Sequence, residues 1–119
     1  MAKTKVTKKD FEFFKKECEK WRDKLNLKDW EVHYILGDTD EDNRAEYSAS
    51  VQARQCTIHL ADTQVDWLPL RGELQRTAFH EMLELRIQEL RQMAMKACSY
   101  DDVDKETHKL IAVFEGLLL

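Results

Sequence analysis

The chain has 119 residues and a formal charge of −4, the length of one domain with an acidic balance that argues against a nucleic-acid binder. No apolar run approaches the ~20 residues that a membrane helix needs, so no membrane partner is expected. Three cysteines, Cys18, Cys56 and Cys98, are widely spaced and never form a Cys-x-x-Cys pair, which argues against a disulfide framework and a thiolate zinc knot.

The thiols read as free cysteines of a reducing cytoplasm. The start is basic (Lys3, Lys5, Lys8, Lys9) but is followed by no apolar signal core, and residues 1–6 are expected to fray. Three glycines and one proline punctuate the sequence, so the elements should be long.

A first helix is predicted from Lys8 to Leu25. Thr7 is a plausible N-cap with Asp10 in the capping-box position. Phe11, Phe14, Cys18, Trp21 and Leu25 recur every three or four residues and form one apolar stripe, expected to lie on a sheet.

Three strands follow, each with a period of two. Trp30, Val32, Tyr34 and Leu36 mark the first. An acidic turn from Gly37 to Asn43 precedes Ala45, Tyr47, Ala49 and Val51 in the second. Cys56, Ile58 and Leu60 mark the third. The short links predict a three-stranded, mainly antiparallel meander.

A loop with Trp67 and Pro69 leads into a second helix, from Arg71 to between Leu90 and Ala97. Pro69 suits helix entry. A polar break at Ser99–Asp102 precedes a third helix, with Leu110, Ile111, Phe114, Leu117 and Leu118 expected inside. The order α-β-β-β-α-α makes the fold class α+β, in a single domain spanning residues 1–119.

The chemistry lies in the second helix, where Ala78-Phe79-His80-Glu81-Met82-Leu83-Glu84-Leu85 contains His-Glu-x-x-Glu. His80 and Glu84 project from one helix face a turn apart and can grip one metal ion. Glu81 points about 100° away and can hold the water that such an ion activates. This is the logic of the metalloprotease helix, with glutamate in place of the second histidine. The ordinary reading of these residues is a charged helix face, solvated or paired with Arg76 and Arg86.

A third ligand must come from elsewhere. His108 and Glu115 share one face of the last helix. If the second helix continues to Ala97, Glu115 stands level with Glu84; if it stops near Leu90, His108 does. His80, Glu84 and His108 form the more zinc-like set, with Glu115 then behind a ligand. His33 and His59 read as exposed strand histidines, and the third strand, Thr57 to Leu60, as an edge on which a peptide could lie.

At these residues the sequence resembles the small zinc metallopeptidase domains of bacteriophage genomes, related in pattern to the minigluzincins. The likeness covers most of the chain loosely. It includes Trp21, Leu25, Leu27 and Trp30, the three-strand region, the His80–Glu84 helix and the closing His108-Lys109-Leu110-Ile111-x-x-Phe114-Glu115 run. It implies a zincin-like domain, Zn²⁺ at His80 and Glu84, Glu81 as general base and a peptide or protein substrate, in the host cytoplasm for a phage protein. Tyr34, Tyr47 and His59 are the candidates for stabilising an oxyanion. The competing expectation is an inactive zincin-like phage accessory or anti-defence protein that binds a host protein. A weaker one is dimerisation through Leu117-Leu118-Leu119.

Overall fold

The computed structural model describes residues 3–39, 43–65 and 69–119. Trp67 and the middle of the acidic turn, residues 40–42, lie outside them. Lys3–Lys5 forms a short strand, β1, and Val6 after it is buried, although residues 1–6 read as frayed from sequence.

Helix α1 (Lys8–Lys24) opens with a reciprocal cap. The Thr7 hydroxyl accepts from the Asp10 amide at 3.1 Å, and the Asp10 carboxylate accepts from the Thr7 amide at 3.0 Å. It closes on Asn26 in the left-handed region (φ 59°), with the Leu27 amide donating to the Arg22 carbonyl and the Asn26 amide to Asp23. That Schellman pattern buries Leu27 and aims the chain back under the helix. Phe14, Cys18 and Trp21 are the buried face, with Phe11 and Leu25 partly buried beside them.

The sheet corrects the expected meander. Strands β2 (Glu31–Gly37), β3 (Ala45–Ser50) and β4 (Gln55–Ala61) lie in the order β2-β4-β3. β4 runs parallel to β2 and antiparallel to β3. The reason is burial: Cys56, Ile58 and Leu60 are enclosed, so β4 takes the centre, where both neighbours shield it. A meander would have centred β3, whose outer positions are Glu46, Ser48 and Ser50. The third strand is therefore not an edge, and the strand edge beside the motif helix belongs to β3. Aligned rows Val32–Cys56–Ala49, Tyr34–Ile58–Tyr47 and Leu36–Leu60–Ala45 face the helices. His33 lies on the opposite face, as read from sequence. Strand β5 (Thr63–Val65) pairs antiparallel with β1.

Helix α2 (Leu70–Arg86) begins directly after Pro69. It is enclosed on most sides, with Trp21 of α1 edge-on to Phe79 at 4.6 Å between ring centroids. Fully burying a side chain such as Phe79 or Leu85 contributes about 1.5–3 kcal/mol. The backbone leaves helical geometry at Ile87 (φ −98°, ψ 6°), and a separate short helix, α3 (Gln88–Ala94), follows. Ser99 caps α4 (Tyr100–Leu118) by accepting from the Asp102 amide.

The inner face of α4 is Val103, Thr107, Ile111 and, partly, Phe114. Leu110, Leu117 and Leu118, expected inside, are exposed. Leucines occupy several faces of this helix, so apolarity alone did not mark the inner one. The architecture is α+β, and no described helix is long and apolar enough to cross a membrane.

Candidate metal centre

α2 and α4 run side by side, and their polar stripes meet in rungs. Arg91, which continues the α2 stripe on α3, reaches Asp104 at 3.0 Å. Glu84 reaches His108 at 3.5 Å, and His80 reaches Glu115 at 3.5 Å. The break at Ile87 ends α2 early enough for His108, rather than Glu115, to stand level with Glu84.

His80 Nε2 lies 3.5 Å from Glu84 Oε1, and His108 Nε2 lies 3.5 Å from the same oxygen. One donor atom from each of the three residues falls within 4.8 Å of the other two. A tetrahedral ion with ligand bonds of about 2.0–2.1 Å needs its donors about 3.4 Å apart. Two of the three edges therefore fit almost as they stand, and the third, within 4.8 Å, closes to about 3.4 Å when an ion is held. This group can hold a metal ion.

The far sides of both imidazoles are occupied. His108 Nδ1 lies 2.9 Å from the Asp104 carbonyl, which only accepts, so Nδ1 carries the proton and Nε2 is left as a donor to a metal. His80 Nδ1 faces the Glu115 carboxylate. Both contacts orient the rings as outer carboxylates and carbonyls do around metal-binding histidines. Glu115 thus stands behind His80, outside the cluster of His80, Glu84 and His108. In the metal-free protein the hydrogen bond to Glu84 raises His80 to about 9, against desolvation that lowers it.

Glu81 is buried, and its Oε2 has no hydrogen-bond partner. Desolvation, then repulsion from Glu84, pushes its carboxyl up to about 8, with His80 acting in the opposite direction. It lines a cavity of about 560 Å³ together with His80, Thr77, Arg76 and Glu115. A buried carboxyl with a raised pKa is therefore held next to His80, at the wall of this cavity.

Of the three oxyanion candidates, Tyr47 is the one tied to this cluster. Its hydroxyl donates to Gln88 and accepts from Arg91 at 3.3 Å, while burial and then Glu84 push it up to about 12. Tyr34 donates to Glu19 of α1, away from the cluster. His59 lies outside the sheet rows that face the helices. Sequence reading missed Gln88, Arg91 and Asp104. Their signal was spacing: His80, Glu84, Gln88 and Arg91 form one stripe, and Asp104, His108 and Glu115 another.

No protein-family model, curated protein or solved structure matches the chain.

Proposed function

We propose that the protein is a zinc-dependent peptidase with a zincin-like fold, hydrolysing peptide bonds at the His80–Glu84–His108 cluster. The observation that carries this reading is a two-histidine, one-carboxylate donor set whose His80 shares one cavity wall with the buried, unpartnered carboxyl of Glu81. Two imidazoles and a carboxylate suit zinc, and three protein donors leave a tetrahedral position open for chemistry. Free, unpaired cysteines suit a reducing cytoplasm.

When bound, zinc supplies a Lewis acid that makes water nucleophilic near neutral pH and polarises a carbonyl. Glu81 performs the proton traffic. It takes one proton from the attacking water as the oxygen–carbon bond forms, and delivers it to the nitrogen as the carbon–nitrogen bond breaks. The products are a carboxylic acid and an amine. Burial and then the charge of Glu84 raise the Glu81 carboxyl to about 8; compensating Glu84 removes the second of these causes and lowers it toward the carboxylate form that the mechanism uses. In this reading Tyr47 donates to the developing oxyanion after exchanging its Gln88 partner, a role supported by its coupling to Glu84 and its contact with Arg91. β3 starts at the cavity wall with Ala45 and, among the described strands, pairs on one side only, so its outer side offers backbone groups to an extended peptide.

The test is hydrolysis of an unbiased peptide mixture by zinc-loaded wild type and Glu81→Gln. The variant should retain zinc and lose roughly 10²–10⁴-fold in rate. Equal rates in the two proteins would remove Glu81 from the mechanism.

A second reading is a phage accessory or anti-defence protein that binds a host protein. It is favoured by the apolar groove of about 310 Å³ between α3 and α4, with Leu90 and Met93 exposed on α3. Zinc-loaded protein without peptidase activity would favour it.

A further inference from the structure

The cavity beside His80 is polar: among its described lining residues Ala45 is the one apolar side chain. A large apolar substrate group placed there would strand hydrogen-bonding groups without water or partners, which costs affinity. The cavity should therefore select a polar group, and the sign of that group follows from which lining residues still have bonding capacity.

Arg44 is committed to Glu73, an ion pair in which the glutamate side chain is only 5% exposed. Glu115 is also committed, with Oε1 on His80 and Oε2 on Arg76. Glu81 is reserved for proton transfer in the mechanism above. Arg76 differs. Its side chain is 56% exposed, and its contact with Glu115 is long, at 3.7 Å. A guanidinium carries five N–H donors in a planar fork, so most of its capacity is unspent. A cationic substrate group would meet two arginines here and find Glu73 and Glu115 already paired, which leaves Glu81 as the one unpartnered carboxyl among the described lining residues.

Arg76 sits one helical turn before His80, on the same face of α2. It and Glu115 also line a second cavity, of about 580 Å³. The Arg76 side chain thus has space on more than one side and can leave Glu115 for a better acceptor.

We infer that Arg76 reads a carboxylate of the substrate next to the scissile bond, making this a site for acidic peptides. The inference rests on the peptidase reading and adds a substrate class to it. The carboxylate can come from a Glu or Asp side chain or from the peptide's own C-terminus. Both sources offer the planar, bidentate acceptor that a guanidinium matches.

The experiment compares zinc-loaded protein on two peptide pairs. One pair differs only by Glu against Gln beside the cleaved bond, and the other by a free against an amidated C-terminus. Wild type should favour the carboxylate member of one pair by about tenfold in kcat/KM. The pair that shows the preference identifies the source. Arg76→Gln should abolish that preference, and Arg76→Glu should turn it toward a Lys-containing peptide, an inversion that general damage to the fold would not produce.

Cleavage without preference in either pair overturns the inference and leaves the peptidase reading standing. If no peptide is cleaved, the peptidase reading fails. Fluorescence anisotropy of the same labelled peptides on zinc-loaded protein then decides carboxylate recognition. Equal affinities within both pairs overturn it, whereas tighter binding of a carboxylate member, lost in Arg76→Gln, upholds it.

Discussion

Glu84 on α2 and His108 on α4 meet at 3.5 Å, although 23 residues and the short helix α3 separate them in the chain. That contact turns a two-residue helical motif into a three-donor site. It also fixes the rung pattern along the helix pair, from which several outcomes follow.

Metal binding should release protons. In the metal-free protein His80 is raised from 6.5 to about 9 by Glu84, so at pH 7 its ring is protonated and cannot ligate. Apparent zinc affinity should therefore rise about tenfold per pH unit up to pH 9. Calorimetric titrations in two buffers of different ionisation enthalpy report the protons released. A pH-independent affinity would contradict the assignment of His80 as a ligand.

Glu81 should destabilise the metal-free protein at neutral pH. Its folded-state carboxyl is raised to about 8 from an ordinary 4.5. The folded protein thus holds this proton more tightly than the unfolded chain. Its contribution is undiminished below pH 4.5 and is lost as pH rises toward 8. His80 contributes a separate fall, between 6.5 and 9, because its folded pKa is also raised. In chelator, Glu81→Gln should exceed wild type by roughly 1–3 kcal/mol at pH 7 and converge with it near pH 4.5. Denaturant midpoints across this range check the claim, and a variant less stable than wild type at pH 7 would refute it.

The rung beside the cluster should matter for zinc. Arg91 bonds Asp104 at 3.0 Å, and the Asp104 carboxylate lies 3.5 Å from His108 Nδ1. The hydrogen bond from His108 Nδ1 to the Asp104 backbone carbonyl survives either change, so Asp104→Asn and Arg91→Gln should each weaken zinc binding by less than about tenfold, and the double variant should be little worse than either. Tyr47→Phe should leave zinc affinity intact and lower turnover by about 10²-fold. Competition with a chromophoric chelator measures the affinities. Additive losses would separate Arg91 from Asp104.

The thiols should differ sharply in reactivity. Burial pushes Cys56 up to about 12 and holds Cys18 well above the ordinary thiol range, whereas Cys98 is exposed. A thiol reagent at pH 8 should label Cys98 alone in the native protein and all three cysteines after denaturation. Rapid native labelling of Cys18 or Cys56 would contradict the packing of α1 on the sheet.

Much of this architecture was legible because local signals agreed with burial. The Thr7–Asp10 cap states where α1 begins, and the Phe14–Cys18–Trp21 stripe and the alternation of Cys56, Ile58 and Leu60 state which faces are buried. Strand order was not legible, since period-two patterning fixes faces but not neighbours, and only the fuller burial of β4 makes it central. The site was half legible. His80, Glu81 and Glu84 lie in one helix and share its geometry. The choice of His108 over Glu115 depended on where α2 ends, and Ile87 carries no glycine or proline to mark the break. Arg91 and Asp104 sit where ordinary surface charges also sit, so the rung between them was visible only in three dimensions.

His80, Glu84 and His108 should jointly bind one zinc ion. The most direct measurement is the zinc content of protein dialysed against buffered zinc, for wild type beside His80→Ala and His108→Ala, with circular dichroism to show that each is folded. Wild type should hold about one equivalent and either folded variant little. A wild type without zinc, or a His108→Ala variant that binds it as tightly as wild type, would contradict this site.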